Sequence, residues 1–170
     1  MDPFFAWIEH SALSDWIRGS DCICAFPMIV TLHNIGMAFL AGCGIAIDLR
    51  IMGFAPAIPL RPMARLLPLM WLAFAVNATT GALLLIAYPT KALTNPLFYV
   101  KITLVAVALT LVYLVARDVL RGAGREAKPV AATARALAGA SLAAWLILIA
   151  AGRYLAYTHK WEMLGVPAVL

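Results

Sequence analysis

Apolar residues in this chain gather in long runs instead of recurring at helical or strand spacing. Four windows, roughly 26–47, 66–88, 97–116 and 137–157, each hold about twenty mostly apolar residues, the length a helix needs to cross a hydrocarbon core. Backbone groups in such a core find no water, so the spans are expected to be helices packed as one bundle. The two-residue alternation of a membrane β-barrel is absent.

Ahead of the first window the pattern changes. Asp2 reads as an N-cap with Pro3 at the first helical position. Phe4, Phe5, Trp7, Ile8, Leu13, Trp16 and Ile17 are then interleaved with Glu9, His10, Ser14 and Asp15. A segment so short and so mixed predicts an amphipathic helix in the membrane interface over about 3–18, broken near Ser11. It lacks the basic start and small-residue cleavage site of a secretory signal. The expected fold is therefore all-α, an integral membrane four-helix bundle with an interfacial N-terminal helix, forming a single transmembrane domain over 1–170. Pro56, Pro59 and Pro62 break the first connection, Pro89 closes the second span, Asn95-Pro96 opens the third, and Gly122-Ala123-Gly124 marks a turn in the third connection.

Composition removes the alternatives. The 170 residues are 64% hydrophobic and 12% charged, with a mean hydropathy of +0.92. A soluble domain carries about 25% charged residues, and a disordered chain is poor in apolar ones. The net charge of +5 is distributed unevenly. Arg50, Arg61 and Arg65 lie in the first connection, and Arg117, Arg121, Arg125, Lys128 and Arg135 in the third; Arg18, Lys91 and Lys160 fall on the other side. By the positive-inside bias the first and third connections face the cytoplasm and both termini the periplasm of a bacterial inner membrane. The charge thus reads as topology, and nucleic acid is not an expected partner.

Three ionisable residues stand inside the spans, where each costs about 3 kcal/mol on insertion scales. His33 lies about 10 Å below the outer end of span one at 1.5 Å per residue; Lys101 and Arg153 sit at similar depth in spans three and four. No carboxylate shares that layer. Asp48 borders span one at its cytoplasmic end, beside Arg50. Haem propionates would complement Lys101 and Arg153, with His33 as an axial ligand to iron. Against this stand ordinary roles: snorkelling of Lys101 and Arg153 to lipid phosphates, and an interhelical hydrogen bond for His33. A second axial ligand would come from Lys101, His10 or His159. Depth argues against His159, and a bis-histidine site is not expected.

Around the spans, His33, Gly36, Met37, Leu40 and Gly44 share one face of the first. Gly36 and Gly44 leave room there for a flat ring or for a neighbouring helix. Ala38, Gly42 and Ala46 form a small-residue stripe on the opposite face, suited to close helix contact. Asn77, Gly81 and Tyr88 share a stripe of span two, with Thr80 at its edge; Asn77 reads as interhelical glue before ligand contact. Cys22 and Cys24, with Met28 and His33 nearby, form a weak candidate set for Cu(I). Pairing across a single residue is sterically poor, and no bridge between them is expected. Cys43 reads as a small apolar residue.

The run Thr31-Leu32-His33-Asn34-Ile35-Gly36, with Asp48-Leu49-Arg50-Ile51-Met52-Gly53, resembles an uncharacterised family of small bacterial four-helix membrane proteins. Asn77 to Gly81, Tyr88-Pro89-Thr90-Lys91 and Asn95-Pro96-Leu97-Phe98-Tyr99-Val100-Lys101 carry the same likeness. More distantly, a histidine in span one and a lysine early in span three are similar to the HemJ-type protoporphyrinogen oxidases and the CopD-type copper-resistance membrane domains; only His33 and Lys101 map. The first likeness implies no activity, and the second implies haem at those two residues.

The expected function is a b-type haem protein of the bacterial inner membrane, moving electrons near the periplasmic face with a quinone or a periplasmic redox protein. Without a Cys-x-x-Cys-His motif the haem would be held non-covalently. The candidate site is His33, Lys101, Arg153, Asn77 and Gly36. The alternatives are a non-catalytic subunit, as a homo-oligomer or within a larger membrane complex, and a copper-handling protein. No catalytic set is read; an enzyme of this kind would be a haem-dependent membrane oxidoreductase.

Overall fold

A computed structural model describes residues 3–117 and 130–163, with side chains over 4–117 and 130–155. Asp2, Arg121, Arg125, Lys128 and the turn at Gly122–Gly124 lie outside the described residues, as do the side chains of His159 and Lys160. Eight helices cover most of the rest: α1 (Pro3–Glu9), α2 (Ala12–Gly19), α3 (Phe26–Met52), α4 (Leu60–Met63), α5 (Leu66–Ala87), α6 (Pro89–Leu93), α7 (Pro96–Val115) and α8 (Ala132–Met163). Among the described residues, four stretches are long and apolar enough to cross a membrane: Phe26–Met52, Leu60–Ala87, Pro96–Val115 and Ala132–Leu155. Much of their apolar surface faces outward, including Leu72 (62% exposed) and Ile147 (54%), which suits contact with lipid chains.

Two compact units are present, Met1–Gly42 with Pro68–Pro96 and Cys43–Leu67 with Leu97–Leu170. In the first, the expected break divides α1 from α2. Ser11 caps α2, its hydroxyl accepting the Ser14 N–H at 3.3 Å, which satisfies one of the donors a helix start leaves open. Ser14 and Ile17 are fully buried on the inner face of α2. Ile17 packs with Ile29, Ala87, Leu83 and Leu84, and the Ser14 hydroxyl donates to the Ala87 carbonyl at 3.4 Å, at the end of α5. Arg18 reaches the side chains of Asp15 (2.9 Å) and Glu9 (3.6 Å), and the Thr90 hydroxyl donates to Glu9 at 3.0 Å. These bonds hold α1 to α2 and α6.

In the second unit, Ile47, Ile51, Val112, Val115, Trp145 and Leu148 are buried. The first connection turns through Gly53 (φ 108°) and Ala55 (φ 48°). Gly53 takes the left-handed conformation at no steric cost. Arg50 donates to the carbonyls of Pro56 and Ile58, so its guanidinium serves the proline-rich turn.

Candidate functional site

His33 projects from α3 toward α5. Its Nδ1 lies 3.1 Å from the Asn77 carbonyl and 3.1 Å from the Thr80 Oγ1. A carbonyl only accepts, and the Thr80 hydroxyl has two carbonyls within donating distance, Val76 at 2.7 Å and Asn77 at 3.1 Å. Both neighbours of Nδ1 are thus acceptors, so Nδ1 carries a proton and the neutral ring keeps its lone pair on Nε2. Metal-binding histidines are commonly oriented in this way, by a donor bond from the other ring nitrogen to a carbonyl. The ring edge rests on Gly81, where a Cβ would lie 3.2 Å from Cε1. Asn77 closes the arrangement, its Nδ2 donating to the His33 carbonyl at 2.8 Å. That is the interhelical role expected of it.

The same face explains Gly36. One turn below His33, a Cβ at Gly36 would lie 3.1 Å from the Asn77 nitrogen and 3.2 Å from the Ala73 oxygen. Of the two uses expected for this glycine, the neighbouring helix fills the notch. The opposite stripe departs from expectation. Ala38, Gly42 and Ala46 are exposed, and a Cβ at Gly42 meets nothing within 4 Å. Close contact within the chain is therefore made by the face that carries the histidine.

Lys101 and Arg153 belong to the second unit. Lys101 is half-buried and runs along α8, where a Cβ at Gly152 would lie 3.9 Å from its Cε. Arg153, the next residue of α8, is exposed. His10 is exposed at the break between α1 and α2.

The cysteine expectation is corrected. Cys22 and Cys24 form a disulfide with a Cα–Cα distance of 5.1 Å, within the range a bridge requires. The tight turn between α2 and α3 supplies the curvature that a two-residue separation in extended chain would lack. Bridged sulfurs are not thiolates, so a Cu(I) site there requires the reduced chain. Among the described residues no three His, Cys, Asp or Glu side chains converge as a metal site. Cys43 is buried, as expected of a small apolar residue.

Asp48 went unremarked by the sequence pattern except as a helix-end acid. It is fully buried, as are Ser141 and Trp145, one turn apart on α8. The Ser141 hydroxyl faces the Asp48 carboxyl, but neither these two groups nor the Trp145 Nε1 meets hydrogen-bonding geometry. Trp145 packs against Gly44, where a Cβ would fall 2.5 Å from its Nε1. Neighbouring glycine and aspartate at i and i+4 on α3, against serine and tryptophan at i and i+4 on α8, are the only sequence signal for this contact.

The four long apolar helices and their outward apolar surface make this a multi-pass helical membrane protein. More narrowly, the chain belongs to DUF6644, a family of unknown function, whose model it matches over residues 4–158. No curated protein and no solved structure matches the chain.

Proposed function

We propose that this protein binds haem b through His33 and serves electron transfer in a bacterial inner membrane. The observation that supports this is the 3.1 Å approach of His33 Nδ1 to the Asn77 carbonyl, an acceptor, an orientation common among metal-binding histidines. Haem when bound supplies a one-electron iron couple. Asn77 and Thr80 fix the ring and its tautomer, and Gly81 gives the ring edge room. By the sequence pattern, Lys101 and Arg153 would be the residues to hold the propionates, and Lys101, His10 or His159 would be the second iron ligand. Gly36, filled by the α5 backbone, spaces the helices. The basic residues of the first and third connections favour a cytoplasmic side for both and a periplasmic side for the termini. Electrons would then pass to a quinone or a periplasmic redox protein.

The test is an absorption spectrum of the protein purified in mild detergent from haem-replete cells. A Soret band that is lost in His33→Ala, with helix content unchanged by circular dichroism, is expected. A colourless wild-type protein overturns the proposal. One observation favours a second reading, a non-catalytic subunit of a larger membrane complex or a homo-oligomer: Asn77, Gly36 and Gly81 all act in close packing of α3 on α5. A colourless protein that co-purifies stoichiometrically with a partner supports it.

A further inference from the structure

The Cys22–Cys24 disulfide has no place in the haem reading, and a structural role explains it poorly. A bridge stabilises by restricting the unfolded chain, and the restriction is least when the closed loop is shortest; here one residue separates the cysteines. Both cysteines are exposed, in contrast to the buried Cys43. Ile23 between them is 74% exposed, an apolar side chain displayed beside the sulfurs at a turn. The Cys22 N–H donates to Ser20 Oγ at 3.2 Å, and the Cys24 N–H donates to Cys22 Sγ at 3.2 Å. That second bond distinguishes the two sulfurs, because an amide N–H favours negative charge on the sulfur that accepts it.

We propose that Cys22–Cys24 is a thiol–disulfide exchange site that accepts two electrons from a dithiol donor, with Cys22 as the leaving sulfur. A donor thiolate attacks Cys24 Sγ, forming a mixed disulfide as the Cys22–Cys24 bond breaks. The bonding pair departs on Cys22 Sγ, beside the Cys24 N–H, and is protonated from water. The donor's second thiolate then attacks the donor sulfur of the mixed disulfide, completing the donor's own disulfide and releasing Cys24, which is protonated in turn. The donor gives up two electrons and two protons, and the chain gains both. A better leaving sulfur exchanges faster, and the exposed Ile23 offers the donor an apolar foothold. None of this depends on haem.

The experiment uses the full chain in detergent, equilibrated with mixtures of reduced and oxidised dithiothreitol, quenched in acid, alkylated and digested for peptide mass analysis. The peptide carrying both cysteines is expected to pass reversibly between bridged and doubly alkylated forms. Its reduction is expected to be at least about tenfold faster than that of glutathione disulfide under the same conditions. In the single-cysteine variants the remaining thiolate itself attacks oxidised glutathione, so Cys24→Ser, which keeps Cys22 and the backbone N–H beside it, is expected to give a higher yield of mixed disulfide at a fixed short time and neutral pH than Cys22→Ser. Two free thiols across the whole series, or a reduction rate no faster than that of glutathione disulfide, overturns the proposal. Equal yields from the two serine variants overturn the assignment of Cys22 as the leaving sulfur.

Discussion

Alanine at Gly36 separates the packing of α3 on α5 from the general behaviour of glycine in helices. In isolation, glycine to alanine inside a helix gains about 0.5–1 kcal/mol from backbone entropy. At Gly36 the new methyl would stand 3.1 Å from the Asn77 nitrogen, 3.2 Å from the Ala73 oxygen and 3.3 Å from the Asn77 Cα. All three are backbone atoms of a helix, so relief requires α5 to move as a unit, and overpacking of this kind costs about 1–3 kcal/mol. Movement of α5 also stretches the 2.8 Å bond from Asn77 to the His33 carbonyl, of a type that averages about 0.6 kcal/mol in membranes. Gly42 lies in the same helix and meets nothing within 4 Å, so Gly42→Ala carries the propensity gain alone. We expect Gly36→Ala to be less stable than Gly42→Ala by about 1–3 kcal/mol, measured by denaturant titration of each purified variant in detergent. If the two variants agree within about 0.5 kcal/mol, the scatter of ordinary surface substitutions, the close approach of α3 to α5 is wrong.

Two further substitutions probe the second unit. Gly44→Ala drives a methyl to 2.5 Å from the Trp145 Nε1 and 2.6 Å from its Cε2; the buried indole has to turn away, and a loss of about 1–3 kcal/mol in the same titration is expected, while an unchanged midpoint counts against the contact. Asp48→Asn replaces a buried carboxyl that makes no hydrogen bond at nearly constant volume, and is expected to leave stability unchanged or raise it; a drop of more than about 1 kcal/mol would show that the carboxyl is matched by a partner.

The sequence disclosed the helices more readily than their faces. The four apolar runs are legible because a spanning helix needs only length and hydrophobicity. The break at Ser11 is legible because a capping serine interrupts an amphipathic pattern. The packing face of α3 is not, because the helix is apolar around its whole circumference, and hydropathy then carries no direction. Two faces were in view, and the one with His33, Gly36 and Gly44 meets neighbours while the small-residue stripe with Gly42 is open. Asn77 was legible as interhelical glue because a mid-membrane amide needs a partner. The burial of Asp48 was not, since an acid at the cytoplasmic end of a span is expected at the interface, and Arg50 beside it turns to the carbonyls of the Pro56–Ile58 bend. The short helices α4 and α6 sit within connections marked by proline, where sequence punctuation signals a break but not the single turn that follows it.

The seat of Trp145 on Gly44 also gives the protein an optical label. Trp7, Trp16 and Trp71 are each about half exposed or more, while the Trp145 indole is fully enclosed. Its emission belongs at the short-wavelength edge of the tryptophan band, beyond the reach of an aqueous quencher. Replacing the other tryptophans with phenylalanine would leave one fluorophore at the contact of α3 with α8. Any event that separates those two helices would then register as a change of colour and of quenching, in the intact protein and without an added dye.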